Sequence, residues 1–175
     1  MNKDRKVFKD VQNAKFGDVY ATIGGRRLHM MNVKNIKPTA SIKTTEVPVL
    51  GNMIVGRKPT GLELKITMTV YKVSETFDDM VETFKNTGIL PPMDLQVTNG
   101  PDVSSSIGSS TKIYRDCVLD GDVLLGMLDA EDKLIEQEIT CFAMDYDSLG
   151  KYTDPSYLEP NKKNAKKISG GWNKA

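Results

Sequence analysis

Residues 62–72 have the sequence Leu62-Glu-Leu-Lys-Ile-Thr-Met-Thr-Val-Tyr-Lys72, and this stretch decides the fold. Apolar residues occupy every second position from Leu62 to Val70, and charged or hydroxyl-bearing residues occupy the positions between them. Since successive side chains in a strand point to opposite faces, this alternation is typical of a strand that buries one face. The stretch therefore predicts a long, half-buried antiparallel strand.

Further strand patterns lie on both sides of this stretch. Upstream, residues 19–23 and 26–30 flank Gly24-Gly25, and this spacing predicts a hairpin with a tight turn. Downstream, four more strands are predicted, at residues 93–98, 112–119, 123–128 and 133–146. Short turns join the last three, so these are expected to form an antiparallel meander. The apolar phase changes along the last strand, which predicts a bulge there, or burial on both faces.

One helix is predicted directly after the long strand. Its apolar stripe consists of residues at helical spacing, namely Phe77, Met80, Val81 and Phe84. Thr76 and Asp79 resemble a capping box, and Gly88 supplies a left-handed stop. About three turns of helix are not stable alone, so the stripe is expected to pack on a sheet. A single helix among antiparallel strands predicts a mainly β protein, either a sandwich or a barrel.

The β pattern is confined to residues 15–150, which we interpret as one domain. Residues 1–14 are interpreted as an N-terminal extension, and they lack the apolar run of a secretory signal. Residues 99–111 are rich in Gly, Ser and Pro and predict a mobile loop. Residues 151–175 contain two prolines and a lysine-rich run, which predicts a flexible tail.

Composition excludes several functional classes. The 175 residues carry 24 Lys and Arg against 23 Asp and Glu, and this near-neutrality argues against a dedicated nucleic-acid binder. No apolar run approaches the ~20 residues of a membrane span, so no membrane anchor is expected. The cysteines, Cys117 and Cys141, lie within strand patterns. We interpret them as reduced core residues of a protein made in the cytoplasm, with a disulfide as the alternative.

The candidate chemical motifs fail on their details, so no catalytic residue, cofactor or metal site is predicted. Residues 51–58 superficially match a phosphate-binding loop, but Pro59 stands where a Ser or Thr would bind magnesium. A strand pattern, rather than a helix, follows this loop. His29 is the one histidine, which argues against a zinc site and against a catalytic triad. These observations favour a protein that is not an enzyme.

The segment 35–61 is unusual for a monomer. It is lightly charged, contains three prolines and is predicted to be a long loop. Its second half carries six large apolar residues that a loop would leave exposed, namely Val47, Val49, Leu50, Met53, Ile54 and Val55. Apolar surface of this kind requires a cover. A neighbouring subunit is the natural source, and assembly would also protect the edge strands of a β protein.

Several ordered pieces of the chain resemble one known family. They are Glu46-Val-Pro-Val-Leu-Gly51-Asn-Met-Ile-Val-Gly56-Arg-Lys58-Pro-Thr-Gly61, the alternating strand that ends at Val73, the helix 76–88, Tyr114-Arg-Asp116, Leu119-Asp-Gly121 and Asp145-Tyr-Asp147. Together they resemble the XkdM-like tail tube family of contractile phage tails, defective prophages and phage-tail-like bacteriocins. The N-terminal extension and the tail after Asp147 depart from the family pattern.

The resemblance implies an assembly and its partners. Subunits of this family form hexameric rings, and the rings stack into a tube inside a contractile sheath. The implied partners are other copies of the chain, the sheath protein, and baseplate and terminator proteins, with DNA passing through the lumen only in a phage. Assembly in the bacterial cytoplasm is implied, followed by incorporation into the released particle. A phage and a bacteriocin remain alternatives.

By position, the resemblance implies that residues 46–61 contact neighbouring subunits. The predicted interface residues are Glu46, Val47, Val49, Leu50, Gly51, Met53, Ile54, Val55, Gly56, Lys58 and Gly61. The alternative function is a secreted ring-forming carrier protein of type VI secretion, which shares the fold. Such a carrier would be expected to lack the resemblance over residues 46–61.

Overall fold

The computed structural model describes residues 8–131 and 133–155. Strands dominate this part of the chain, and their bounds are β1 Gly17–Ile23, β2 Arg26–His29, β3 Val33–Val47, β4 Gly56–Tyr71, β5 Met93–Asn99, β6 Ser110–Arg115, β7 Val118–Asp120, β8 Glu136–Ala143 and β9 Asp145–Gly150. The predicted helix, α1, spans Thr76–Thr87 between β4 and β5.

The strands form two antiparallel sheets. One sheet has five strands in the order β2-β1-β5-β6-β9, and the other has four in the order β3-β4-β8-β7. Both sheets and α1 contribute to a single cluster of buried apolar side chains. Its members include Ala21, Leu95 and Tyr114 from the first sheet, Ile66, Met68 and Ile139 from the second, and Phe77 and Met80 from the helix. The predicted antiparallel β-sandwich is therefore confirmed.

Strand β4 is the long strand that the alternating stretch predicts. Ile66 and Met68 are fully buried, and Leu64 and Val70 are buried with them. Leu62 belongs to the same face but is 57% exposed. The difference has a simple cause, because β8 pairs with β4 only from Leu64 to Tyr71. Residues before Leu64 extend beyond the core.

The first hairpin and the helix confirm most of their predictions. Gly24 and Gly25 have φ values of 54° and 81°, which the turn between β1 and β2 requires and glycine tolerates. Helix α1 ends at Gly88 in the left-handed conformation, as predicted. The predicted capping box is wrong, since the N-cap residue is Glu75 and no side chain bonds the cap. Thr76 already lies inside the first turn, where its hydroxyl pairs with that of Ser74 at 3.1 Å.

Two of the predicted strands are each divided between the sheets. The strand predicted at 112–119 breaks at Asp116, whose φ is 50°, into β6 of the larger sheet and β7 of the smaller one. The strand predicted at 133–146 breaks at Met144 into β8 and β9, which return the chain to the larger sheet. The Met144 N–H donates to the Arg115 carbonyl at 3.1 Å, so the two crossings are adjacent. The change of apolar phase therefore marks a change of sheet, and the predicted meander is wrong.

The strand predicted at 123–128 is also wrong, since these residues lie in an irregular connection between β7 and β8. Side chains satisfy backbone groups here in place of a neighbouring strand. The Leu124 carbonyl accepts hydrogen bonds from Lys72 Nζ at 2.6 Å and from Gln137 Nε2 at 3.4 Å. These two hydrogen bonds tie the segment to the residue after β4 and to β8 through side chains, and the segment does not join the ladder.

The other predicted segments have varied outcomes. Cys117 and Cys141 are both buried and free, as expected for reduced core residues. Residues 100–109 connect β5 to β6, and the Asp102 carboxylate there accepts hydrogen bonds from the Ser104 N–H and from the Asn13 N–H. The mobility of this loop and the domain bounds 15–150 stay predictions. Most of the predicted tail, residues 156–175, and residues 1–7 lie outside the described part of the chain.

Gly17 provides a test of how closely β1 and β5 approach. A Cβ added at Gly17 would lie 2.4 Å from the Thr98 carbonyl oxygen, a backbone atom that cannot move without disturbing the ladder. We expect Gly17→Ala to lower the free energy of unfolding by about 1–3 kcal/mol, measured by denaturant titration. Gly126→Ala is the control, because an added Cβ there meets nothing within 4 Å. Equal effects of the two variants would contradict this packing.

Candidate assembly interface

Strands β3 and β4 extend beyond the sandwich as a projecting hairpin. They pair from Val33 opposite Val70 to Val47 opposite Gly56, whereas β8 covers β4 only from Leu64 onward. Residues 41–63 therefore form a two-stranded ribbon, here called the arm, and residues 48–55 form its tip. The eight steps from Leu64 to Gly56 give the arm a reach of about 26 Å.

The arm corrects the prediction that residues 35–61 form a long loop. Only residues 48–55 lie between the two strands, and the remainder is paired. Of the three prolines that suggest a loop, Pro48 lies in the tip, and the other two lie where the ladder is one-sided. Pro38 is on β3, an edge strand, and Pro59 is on the part of β4 that β8 does not reach.

Local hydrogen bonds and ion pairs shape the arm. At the tip, Gly51 adopts a φ of 79°, the Asn52 N–H donates to the Val49 carbonyl at 3.2 Å, and the Ile54 N–H donates to Asn52 Oδ1 at 3.2 Å. Behind the tip, Arg57 Nη2 lies 2.7 Å from Glu46 Oε1 across the two strands. The hydrogen bonds within the tip form a local turn, and the ion pair neutralises the two charged residues next to it.

All eleven predicted interface residues lie on the arm, and all are exposed. Leu50 and Met53 expose their whole side chains, and Ile54 is 78% exposed. The tip thus forms a continuous apolar surface without a charged residue. Such a surface suits contact with another protein surface. The role of these residues as a subunit interface stays a prediction.

Two further exposed residues on the arm escaped the sequence analysis. Ile42 and Leu62 are 67% and 57% exposed and lie opposite each other in the register. The alternation continues through Leu62 and therefore predicts that this residue belongs to the buried apolar face of the strand. The sequence contains no signal for the point at which β8 stops covering β4, since that pairing joins residues far apart in the chain.

The backbone edge of β3 is a second possible contact surface. Within the described residues, β3 has β4 on one side and no strand on the other over its 15 residues. An edge of this length can accept a strand from another chain through backbone hydrogen bonds. The arm therefore combines an apolar tip with an open edge, and both features suit association between copies.

The chemically reactive side chains occupy structural positions. The ring of His29 stacks on Tyr20 with centroids 4.5 Å apart, and its Nε2 lies 3.3 Å from Asp18 Oδ1. A hydrogen bond with Cys141, together with burial, raises the pKa of the Cys117 thiol, so this sulfur remains protonated in the core. The phosphate-loop-like residues 51–58 form the tip and the start of β4, with a strand after them.

The described part of the chain contains neither a cluster of metal-ligand side chains nor a membrane-spanning helix. Among residues 8–131 and 133–155, no group of three His, Cys, Asp or Glu side chains is placed to hold a metal ion. No helix within that part of the chain has the length and apolar character needed to cross a membrane.

Comparisons with known proteins identify a family and a shared fold. A family model described as phage tail tube protein matches residues 7–150. The phage-like element PBSX protein XkdM of Bacillus subtilis (strain 168) is 26% identical over 125 residues, which cover 71% of this chain and 84% of that protein. The fold resembles a chain of the sheath–tube complex of the PVC extracellular contractile injection system in its extended state, with a TM-score of 0.60, 13% identity, and coverage of 86% of this chain and 99% of the other. It also resembles a chain of the anti-feeding prophage baseplate, with a TM-score of 0.57, 9% identity, and coverage of 77% and 92%.

Proposed function

The chain belongs to the phage tail tube protein family and is a tail tube subunit, and from this premise we propose that it polymerises as stacked hexameric rings inside a contractile sheath. The observation that carries the proposal is the arm: a ribbon about 26 Å long that projects from a closed sandwich and ends in an uncharged, exposed apolar tip. A monomer gains nothing from this surface, whereas a polymer buries it in every copy.

The asymmetry of the arm supports an open polymer. When the arm docks on a different surface of its neighbour and the neighbour's arm does not dock back, the contact is heterologous. Heterologous contacts close into a ring when their rotation closes, and they continue as a filament when it does not. In stacked rings, one heterologous contact closes around each ring, and another continues from ring to ring along the tube.

The proposed partners follow from the family and from the assemblies that contain its structural relatives. We propose contacts with a sheath protein around the tube and with baseplate and terminator proteins at its ends. Relatives of the same fold come from a sheath–tube complex and a baseplate, which supports these assignments. The family model also favours a tail tube over a secreted carrier of type VI secretion. The role is structural rather than catalytic, with assembly in the bacterial cytoplasm before the particle is released.

Negative-stain electron microscopy of the concentrated, purified protein tests the proposal, with light scattering as a second measurement. We expect hollow tubes or stacked rings of uniform diameter, with sixfold end views. Where the protein remains monomeric, co-purification with the sheath and baseplate proteins encoded beside it is the second test. A monomer that also fails to co-purify with those proteins would contradict the proposed function.

A further inference from the structure

An open apolar groove of about 670 Å³ lies at the end of the four-stranded sheet opposite the arm. It is formed where β3 begins, β4 ends and β8 begins. The residues that line it include Met31, Tyr71, Val73, Leu134 and Ile135. Met31, Val73 and Leu134 expose 84%, 75% and 76% of their surfaces, so the described part of the chain leaves the groove uncovered.

Hydrogen bonds hold the walls of the groove in place. The Asn32 Nδ2 donates to the Tyr71 carbonyl at 2.8 Å, and the Tyr71 N–H donates to the Asn32 carbonyl at 2.9 Å. The Lys72 N–H donates to the Ile135 carbonyl at 3.0 Å. Three segments far apart in the chain are thereby fixed to one another, and a preformed groove costs little ordering when it binds.

The charged groups at the groove are already paired. The Lys72 ammonium lies 2.6 Å from Asp78 Oδ2 and donates to the Leu124 carbonyl at 2.6 Å, with both charged side chains largely buried. At the rim, Lys34 Nζ lies 2.7 Å from Glu136 Oε1. A charged partner would therefore find its counter-charges occupied, whereas an uncharged apolar partner would match the surface. The tip of the arm, residues 48–55, has this character and contains no charged residue.

The tip cannot reach the groove of its own chain. The 16 residues of β4 run between the two sites without interruption, which separates them by about 50 Å. Strands β3 and β4 stay paired along this distance, and folding the tip back would break their ladder. Only a second copy can therefore bring tip and groove together, and when the copies point the same way this contact repeats from copy to copy.

We propose that the groove at Met31, Val73 and Leu134 receives the tip of the arm of a second copy of this chain. This inference rests on the proposed tube function and assigns the surface on which the arm docks. Leu50, Met53 and Ile54 enter the groove, while the paired charges Glu46–Arg57 and Lys34–Glu136 form the polar rim around it. The arrangement has an apolar centre and a polar border, as stable protein interfaces do.

Disulfide cross-linking in assembled tubes tests this contact. A variant with Met53→Cys and Leu134→Cys is expected to form disulfide-linked multimers under a mild oxidant, while Cys117 and Cys141 stay unreactive because they are buried. The matched control pairs Met53→Cys with Val103→Cys, because Val103 is fully exposed but lies outside the groove. We expect the multimers to be lost in this control.

A second variant measures the energetic role of the groove. Leu134→Asp is expected to raise the protein concentration needed for tube formation by about a hundredfold, since it places an unpaired carboxylate against an apolar tip. Tubes that form normally with Leu134→Asp and yield no 53–134 cross-link would overturn the docking while leaving the tube function intact. A fluorescent apolar probe that occupies the groove equally in monomer and tube would also overturn it. Absence of tubes and of sheath co-purification from the unmodified chain would contradict the proposed function itself.

Discussion

Ile54→Asp is expected to block tube formation at concentrations where the unchanged chain assembles, while leaving the monomer folded. Ile54 lies at the tip, is 78% exposed and contacts no part of the core, so the free energy of unfolding should change by no more than about 0.5 kcal/mol. In the assembled state the same side chain would be buried, and an unpaired carboxylate there costs several kcal/mol per subunit. Because each copy repeats the penalty, we expect the critical concentration to rise by at least about a hundredfold. Sedimentation and electron microscopy measure this change.

The control for this variant is Val103→Asp, which makes the same kind of change at a fully exposed residue of the loop between β5 and β6. It should leave tube formation unchanged. Gly56→Pro offers a second test, because it alters the backbone where the tip joins β4, opposite Val47. Normal tubes from both Ile54→Asp and Gly56→Pro would refute the assignment of the arm to assembly.

Ile66→Ala is expected to cause a large loss of monomer stability. Ile66 is fully buried between the sheets, and truncation of such a residue to alanine costs roughly 2–5 kcal/mol through lost burial and the cavity that remains. Since domains are stable by only about 5–15 kcal/mol, the variant should retain a fraction of that stability. Denaturant titration gives the difference in unfolding free energy, and a thermal scan should show a clear fall in Tm.

Ile42→Ala is the matched control for Ile66→Ala, since it makes the same truncation in the adjacent strand of the same sheet. Ile42 is 67% exposed on the arm, so its loss should cost less than about 0.5 kcal/mol. Similar losses for the two variants would mean that the arm contributes to the monomer core, which would contradict the fold described above.

Much of the fold could be predicted because its signals are local. The alternation in 62–72 predicts β4, the glycine pair predicts the first hairpin, and the helical spacing of Phe77 and Met80 predicts α1. The division of two strands between the sheets could not be predicted. It depends on the left-handed backbone at Asp116 and on the contact between Met144 and Arg115, which only the folded chain brings together.

The tip and the groove, which form the proposed contact, also differ in how far the sequence predicts them. The tip is contiguous in sequence, so its apolar character was visible as an excess of exposed residues in one segment. The strand pairing of the arm behind the tip could not be predicted. Proline and glycine indicate a loop, and only the structure shows that these residues lie where a strand has a neighbour on one side. The groove joins residues near 31, 72 and 135, whose proximity results from strand order alone. No single stretch of sequence contains a signal for it.

The adjacent crossings at Asp116 and Met144 have a mechanical consequence. A tube that is pushed along its axis places its subunits under shear. Two sheets held together only by side-chain packing can slide past each other, because apolar contacts have no preferred direction. Here the backbone itself passes from one layer to the other twice at neighbouring points, and a hydrogen bond of 3.1 Å joins the two passages. Sliding at that end of the sandwich would have to stretch covalent chain. The chain also passes between the sheets at the opposite end, over residues 30–32 between β2 and β3, so covalent chain resists shear at both ends of the sandwich.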